Sequence, residues 1–380
     1  MPKNIVICCD GTGDEFGDCN SNVVKLYSTL VISETQAGYY HPGVGTMGAP
    51  TARTWWERQW SRAKGLAFGA GLSANIGDAY RYLMDTYKIE DRVYLFGFSR
   101  GAYTARALAG LLHMYGLLCP GNDALIPYVI RMFAKQSRKA GGMKDTLEVA
   151  ENFKATFSRP CPVHFSGLWD TVSSVGWIYN PVVLPFSARN PDVRVGRHAV
   201  SIHERRCFYR QNLWGAPLKN QDLRQVWFAG VHSDVGGGYP EKESGLSKVT
   251  LEWMLCEAEA AGLQIDHDQA AIVLGEAPPK EGWSPKNVKP DPNAIIHPSL
   301  HGVWWILEFL PHRQVEFREH EPHVRWRVPL GAPRRIPKSS WIYQLARPHV
   351  KWDDSFREEP AAHFPPAARD AQGTVESHGL

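Results

Sequence analysis

Apolar positions along this chain fall in short, well-separated runs. Residues 4–9 (NIVICC), 39–43 (YYHPG), 92–98 (RVYLFGF), 163–168 (VHFSGL) and 225–231 (QVWFAGV) are brief, rich in β-branched or aromatic side chains, and closed by Gly, Asp or Pro. That pattern predicts buried strands. Other segments follow a helical period. Residues 72–88 place Ile76, Tyr80, Leu83 and Met84 on one face, residues 102–118 (AYTARALAGLLHMYGLL) repeat that spacing, and residues 248–261 give a third helix. Strands alternating with helices imply right-handed crossovers and a doubly wound, mostly parallel α/β sheet, with functional groups on the loops at the carboxyl ends of the strands.

Three stretches, about 120–160, 171–224 and 264–310, are too long for single crossovers and are expected to be insertions or cap segments on one domain spanning residues 1–350. Residues 351–380, polar and with little to bury, are expected to form a poorly ordered tail.

The third strand meets the helix after it through Gly97-Phe98-Ser99-Arg100-Gly101. A Gly-x-Ser-x-Gly corner exposes a serine on a sharp strand-to-helix turn, and small residues on either side let strand and helix pass. The helix then points its free N–H groups at the serine oxygen, which favours an oxyanion. Strand, corner and helix coincide here, so an α/β-hydrolase-like fold with Ser99 as nucleophile is expected.

A serine needs a base, and the base needs an orienting acid. The next two predicted strands end in Trp169-Asp170-Thr171 and Val231-His232-Ser233-Asp234. The order Ser99, Asp170, His232 is that of α/β-hydrolases. Asp234, two residues from His232, is the rival acid, although the glycines after it give it an equal role in a turn. His297 is the reserve base. The loop Asp10-Gly11-Thr12 after the first strand is expected to supply oxyanion donors from Gly11 or Thr12, beside the N–H of Arg100. Phosphatases that place Asp-Gly-Thr here need an aspartate two residues earlier, where this chain has Cys8.

Composition narrows the partners. The 380 residues are 43% hydrophobic, enough for a large core, and 42 basic against 39 acidic residues give a net charge of only +3. Nothing in that balance calls for nucleic acid. Seven cysteines, two of them neighbours on a predicted buried strand, fit reduced thiols better than a disulfide framework, and no secretory or spanning segment is legible, so a cytoplasmic protein is expected. Neither a metal nor an organic cofactor is required.

Several blocks together resemble a known group. Cys9-Asp10-Gly11-Thr12, His41-Pro42-Gly43-Val44-Gly45-Thr46, the segment 69–76 (GAGLSANI), the serine corner with Arg106-Ala107-Leu108-Ala109-Gly110, Trp169-Asp170-Thr171-Val172, and the segment 230–239 (GVHSDVGGGY) are similar to an uncharacterised α/β-hydrolase domain family of bacteria and fungi. Its best-known members are type VI secretion phospholipase effectors. The resemblance spans about residues 4–260 and implies a Ser-Asp-His esterase on Ser99, Asp170 and His232, acting on a lipid or other small-molecule ester. One departure is His203, where the family carries Asp.

Trp55, Trp56 and Trp60 among cations, with Trp304 and Trp305 further on, read first as cover for the domain's own core and second as a peripheral membrane contact. Two other functional classes remain. One gathers Asp10, Asp170, His232 and Asp234 around a cation as a metal-dependent hydrolase or phosphatase. The other is a non-catalytic interaction module on a hydrolase scaffold.

Overall fold

The computed structural model of this chain describes residues 2–11, 17, 19–43, 70–136, 143–172, 184–279, 287–302, 304–318 and 321–365. Among them, strands β1 (Asn4–Cys9), β2 (Gln36–His41), β3 (Arg92–Phe98), β4 (Val163–Trp169), β5 (Val193–Ser201), β6 (Asp222–Phe228), β7 (Trp341–Tyr343) and β8 (Arg357–Glu359) form one sheet in the order β8, β7, β6, β5, β4, β3, β1, β2. Each neighbouring pair is parallel. The helices are α1 (Asn22–Tyr27), α2 (Ala70–Thr86), α3 (Arg100–Tyr115), α4 (Ile126–Gln136), α5 (Met143–Phe157), α6 (His232–Gly236), α7 (Gly245–Ala260), α8 (His267–Val273) and α9 (Trp304–Glu308).

The period of two along the strands divides the core between the two faces of the sheet. Ile5, Ile7 and Cys9 of β1 and Val93 and Leu95 of β3 pack with Ile76, Tyr80 and Leu83 of α2 and Leu108 and Leu111 of α3. Val6, Cys8, Tyr94, Phe96 and Phe98 pack on the other face with Val23 and Leu26 of α1 and Leu251 and Met254 of α7. With both faces covered, nearly every strand position is apolar, which is why these strands read as unbroken runs. Burial pushes the Cys9 thiol up to about 12, so it behaves as a small apolar side chain.

The strand order turns back on itself between β1 and β3. In a doubly wound sheet that reversal opens a crevice at the carboxyl ends of the strands, and both the serine corner and the Asp10 loop lie there.

The second strand begins three residues earlier than expected, at Gln36, and three larger features depart from the sequence expectation. Val193–Ser201, assigned to an insertion within 171–224, is a central strand of the sheet. Its sequence VRVGRHAVS hides it, because charges and a glycine break the apolar run. In the fold those groups are matched: Arg197 Nη2 donates to Asp222 Oδ2 at 2.6 Å and its Nε donates to Glu257, while Gly196 makes room for the Trp214 ring, 2.7 Å from where a Cβ would stand. The folded domain also continues past residue 350, since Arg357–Glu359 pairs with β7 and Phe364 is buried. Finally, β6 stops at Phe228 rather than at 231, because Gly230 turns the chain at φ 107°.

Among the described residues, no helix is long and apolar enough to cross a membrane. Leu95 is fully buried on the α3 face, so Leu95→Ala is expected to lower the unfolding free energy by about 2–5 kcal/mol in a urea titration. The same change at exposed Ile89 should stay within about 0.5 kcal/mol.

Candidate active site

Ser99 sits at the corner between β3 and α3 with φ 57° and ψ −119°, a backbone conformation that non-glycine residues rarely occupy. The two flanking glycines make the corner possible. A Cβ on Gly97 would lie 2.6 Å from the Ala102 nitrogen, and one on Gly101 would lie 2.1 Å from the Cys9 carbonyl oxygen. Helix α3 therefore rests directly on the end of β1. The sheet ladder continues up to the site: Ser99 N–H donates to Trp169 O at 3.0 Å and Asp170 N–H donates to Ala199 O at 2.7 Å.

Beyond β6 the chain turns at Gly230 and enters α6 with His232 as its first residue. The imidazole lies between the other two side chains, with Nε2 at 2.8 Å from Ser99 Oγ and Nδ1 at 2.6 Å from Asp170 Oδ2. An ionised Asp170 assigns the tautomer: Nδ1 carries the proton, and Nε2 is free to accept from the serine hydroxyl. The ring is held by Phe98 and by Tyr209, each with its centroid 4.7 Å away. Its backbone N–H donates to Glu204 Oε2 at 3.2 Å. The structure thus brings Ser99, His232 and Asp170 into one hydrogen-bonded line.

Electrostatics suits a neutral base beside a charged acid. Burial alone would raise the Asp170 carboxyl, but the Arg334 guanidinium and the His232 bond outweigh it and hold the group well below the usual carboxylate range. Burial also dominates at His232 and lowers its proton affinity, against the opposing pull of Asp170.

The other nominated residues divide. Asp234 Oδ1 lies 2.6 Å from His297 Nδ1, and its Oδ2 accepts the N–H groups of Val231 and His297 at 3.0 and 3.2 Å. The rival acid and the reserve base therefore pair with each other, with the His297 ring stacked on Tyr239 at 3.8 Å. Asp10 accepts from Ser21 Oγ at 2.7 Å and Tyr40 Oη at 2.7 Å, which ties the residue that follows β1 to α1 and β2. The Gly11 N–H, expected to be an oxyanion donor, is turned onto Asp10 Oδ1 at 2.7 Å. Thr12 and the Trp55, Trp56 and Trp60 cluster lie outside the described residues. Arg100 directly follows Ser99 as the first residue of α3. Among the described residues, no three His, Cys, Asp or Glu side chains are grouped to hold a metal ion, and the four proposed for a cation are not assembled as a ligand set.

Sequence patterns missed three supporting groups. Arg334 Nη1 and Nη2 donate to the two oxygens of Asp170 at 2.5 and 3.0 Å. Ser201 N–H donates to Asp170 Oδ1 at 2.9 Å, and Glu204 binds the His232 backbone as well as Arg206. Ser201 ends β5, the strand that was not recognised, and Glu204 lies in the segment just after it. No local pattern marks Arg334, which is 164 residues from Asp170. His203 Nδ1 accepts the Gly230 N–H at 3.0 Å, a bond that a carboxylate at this position could also accept, so the departure from Asp keeps an acceptor at the turn before His232.

Residues 3–257 match the family described as T6SS, phospholipase effector Tle1-like, catalytic domain. The chain belongs to this family. Ser99, Asp170 and His232 lie inside the matched region, whereas Arg334 and strands β7 and β8 follow it. The uncharacterized protein YEL023C of Saccharomyces cerevisiae is 36% identical over 220 residues, covering 55% of this chain and 32% of the yeast protein. The chain thus matches about a third of that relative's length. Among solved structures, an uncharacterized protein from Pseudomonas aeruginosa aligns over 70% of this chain and 47% of its own, with 21% identity and a TM-score of 0.42. The Tle1 effector bound to the VgrG spike of the type 6 secretion system aligns over 65% and 53%, with 17% identity and a TM-score of 0.32.

Gly101→Ala is expected to disrupt the corner, because the added Cβ would meet a backbone oxygen that cannot rotate away. A loss of about 1–3 kcal/mol in thermal unfolding, together with displaced Ser99 and Arg100 amide resonances, checks this.

Proposed function

We propose that this chain hydrolyses a carboxylic ester of a lipid or phospholipid through an acyl-enzyme on Ser99. The observation that carries the reading is the continuous hydrogen-bonded line from Ser99 Oγ through His232 to Asp170. In the first half-reaction His232 Nε2 takes the hydroxyl proton as Ser99 Oγ attacks the ester carbonyl. Asp170 orients the ring and stabilises the imidazolium. The N-terminal end of α3, including the Arg100 N–H, faces the oxyanion. His232 then returns the proton to the departing alcohol, and a water activated by the same ring releases the acid.

Two observations favour lipid over a small polar ester. The family is described by its phospholipase effectors. Aromatic rings also adjoin the site: Tyr209, against His232, stacks edge-on with Trp304 of α9 at 5.7 Å, and the same short segment carries exposed Trp305, Ile306 and Phe309. Aromatic packing at the base and exposed apolar side chains on the adjoining segment suit an acyl chain or a lipid surface better than a charged substrate.

Ser99→Ala is expected to abolish turnover of p-nitrophenyl esters and intact phospholipids alike. Asp170→Asn should reduce kcat by about 10⁴, as loss of the orienting acid does elsewhere, while Asp234→Asn, which breaks the pairing to His297, should reduce it far less. The reverse ranking would reject this choice of acid. Because the reaction needs a neutral base and burial depresses His232, kcat/KM should hold as pH falls to the ordinary histidine value of about 6.5 and decline only below it.

A further inference from the structure

Asp170 is fully buried, and one cation answers its charge at both oxygens. Arg334 is itself 1% exposed at its side chain. Its Nη1 also donates to Ser201 Oγ at 2.8 Å and Ser201 O at 3.2 Å, and its Nη2 donates to the Tyr209 carbonyl. A planar guanidinium can make this fork against a carboxylate, and an ammonium cannot. Asp170 Oδ1 therefore takes Ser201 N–H and Arg334, and Oδ2 takes Arg334 and His232. Four donors fill a carboxylate's acceptor sites, so the group cannot rotate away from the imidazole. Through Tyr209, the same guanidinium also anchors the segment whose ring closes over His232.

We propose that Arg334, from a segment beyond the region shared with the family, is a positioning residue for the hydrolytic site: it fixes Asp170 through both oxygens and places a cation on the acid at the same Oδ2 that holds His232. This inference rests on the assignment of Ser99, His232 and Asp170 as the reacting line.

The placement has an electrostatic consequence. The charged groups around His232 are Asp170 just after β4, Glu204 in the segment after β5, Arg206 paired with Glu204, and Arg334 paired with Asp170. Asp234 on α6 is turned to His297. His198 on β5 donates no charge, because burial first, and Arg106 next, push it down to about 3. The surroundings hold two carboxylates against two guanidinium groups. Removing Arg334 leaves an excess of negative charge beside the imidazole, which favours its protonated form. The base would then be lost over a wider range of acid pH.

The test uses the full chain with Arg334→Met and Arg334→Lys, assayed for ester hydrolysis across pH. The methionine variant is expected to lower kcat by about 10–100-fold with little change in KM. It should also move the acid limb of kcat/KM upward by about one pH unit. The lysine variant keeps the charge and loses the fork, so its acid limb should stay near that of the parent while kcat remains low. A purely structural role would lower the amount of folded protein and leave the acid limb unmoved in both. Parent values of kcat and an unmoved limb in both folded variants overturn the proposal. If the methionine variant does not fold, the lysine variant decides: parent kcat overturns the proposal and reduced kcat with an unmoved limb supports it. Ser99→Ala and Asp170→Asn, run in parallel, separate the two claims: if they keep turnover, the assignment of the reacting line has failed rather than the role of Arg334.

Discussion

A carboxylate with no access to water organises this end of the molecule. Burying Asp170 as an anion is unfavourable unless every lone pair finds a donor, and donors arrive from three different parts of the chain. Ser201 N–H comes from the end of β5, His232 from α6, and both Arg334 nitrogens from the segment before β7, while Asp170 itself continues β4. Satisfying this one charge fixes how the sheet edge, the loop after β6 and the later part of the chain meet. The imidazole takes its orientation as a consequence of that arrangement.

The second constraint is steric, at the corner opposite. Ser99 is held at positive φ because β3 must turn into α3 while α3 lies against the end of β1, and only a hydrogen at Gly101 fits beside the Cys9 carbonyl. Asp10 then ties the end of β1 to Ser21 and Tyr40, so the surface on which α3 rests is itself held. Strain at the serine is thus supported by contacts outside it.

Much of this was legible in the sequence where the signal is local. The runs at 4–9 and 92–98 appear as β1 and β3 with the same bounds, because strands buried on both faces show as plain apolar runs. The corner at Ser99 was legible because its glycines fall at fixed offsets. Val193–Ser201 was not, since Arg197 and His198 are buried through partners, Asp222 and Glu257 for one and Gln225 and the Thr171 N–H for the other, that lie far along the chain. That strand separates β4 from β6, so Asp170 and His232 reach each other across the end of β5 rather than from adjacent strands. Arg334 was hidden for the same reason: its role is set by a partner 164 residues away. The Gly11 donor was misjudged because its neighbour Asp10 turns back to take the N–H, a local competition that motif spacing does not encode.

The central claim is that the Ser99 hydroxyl is a nucleophile because His232 can take its proton. Treating the folded chain with a fluorophosphonate and mapping the adduct by tandem mass spectrometry tests this most directly. The account predicts a single phosphonyl group on Ser99, formed at a rate that falls with pH as His232 becomes protonated, and no adduct once His232 is replaced by Ala. An adduct on another side chain, or equal labelling of Ser99 without His232, would contradict it.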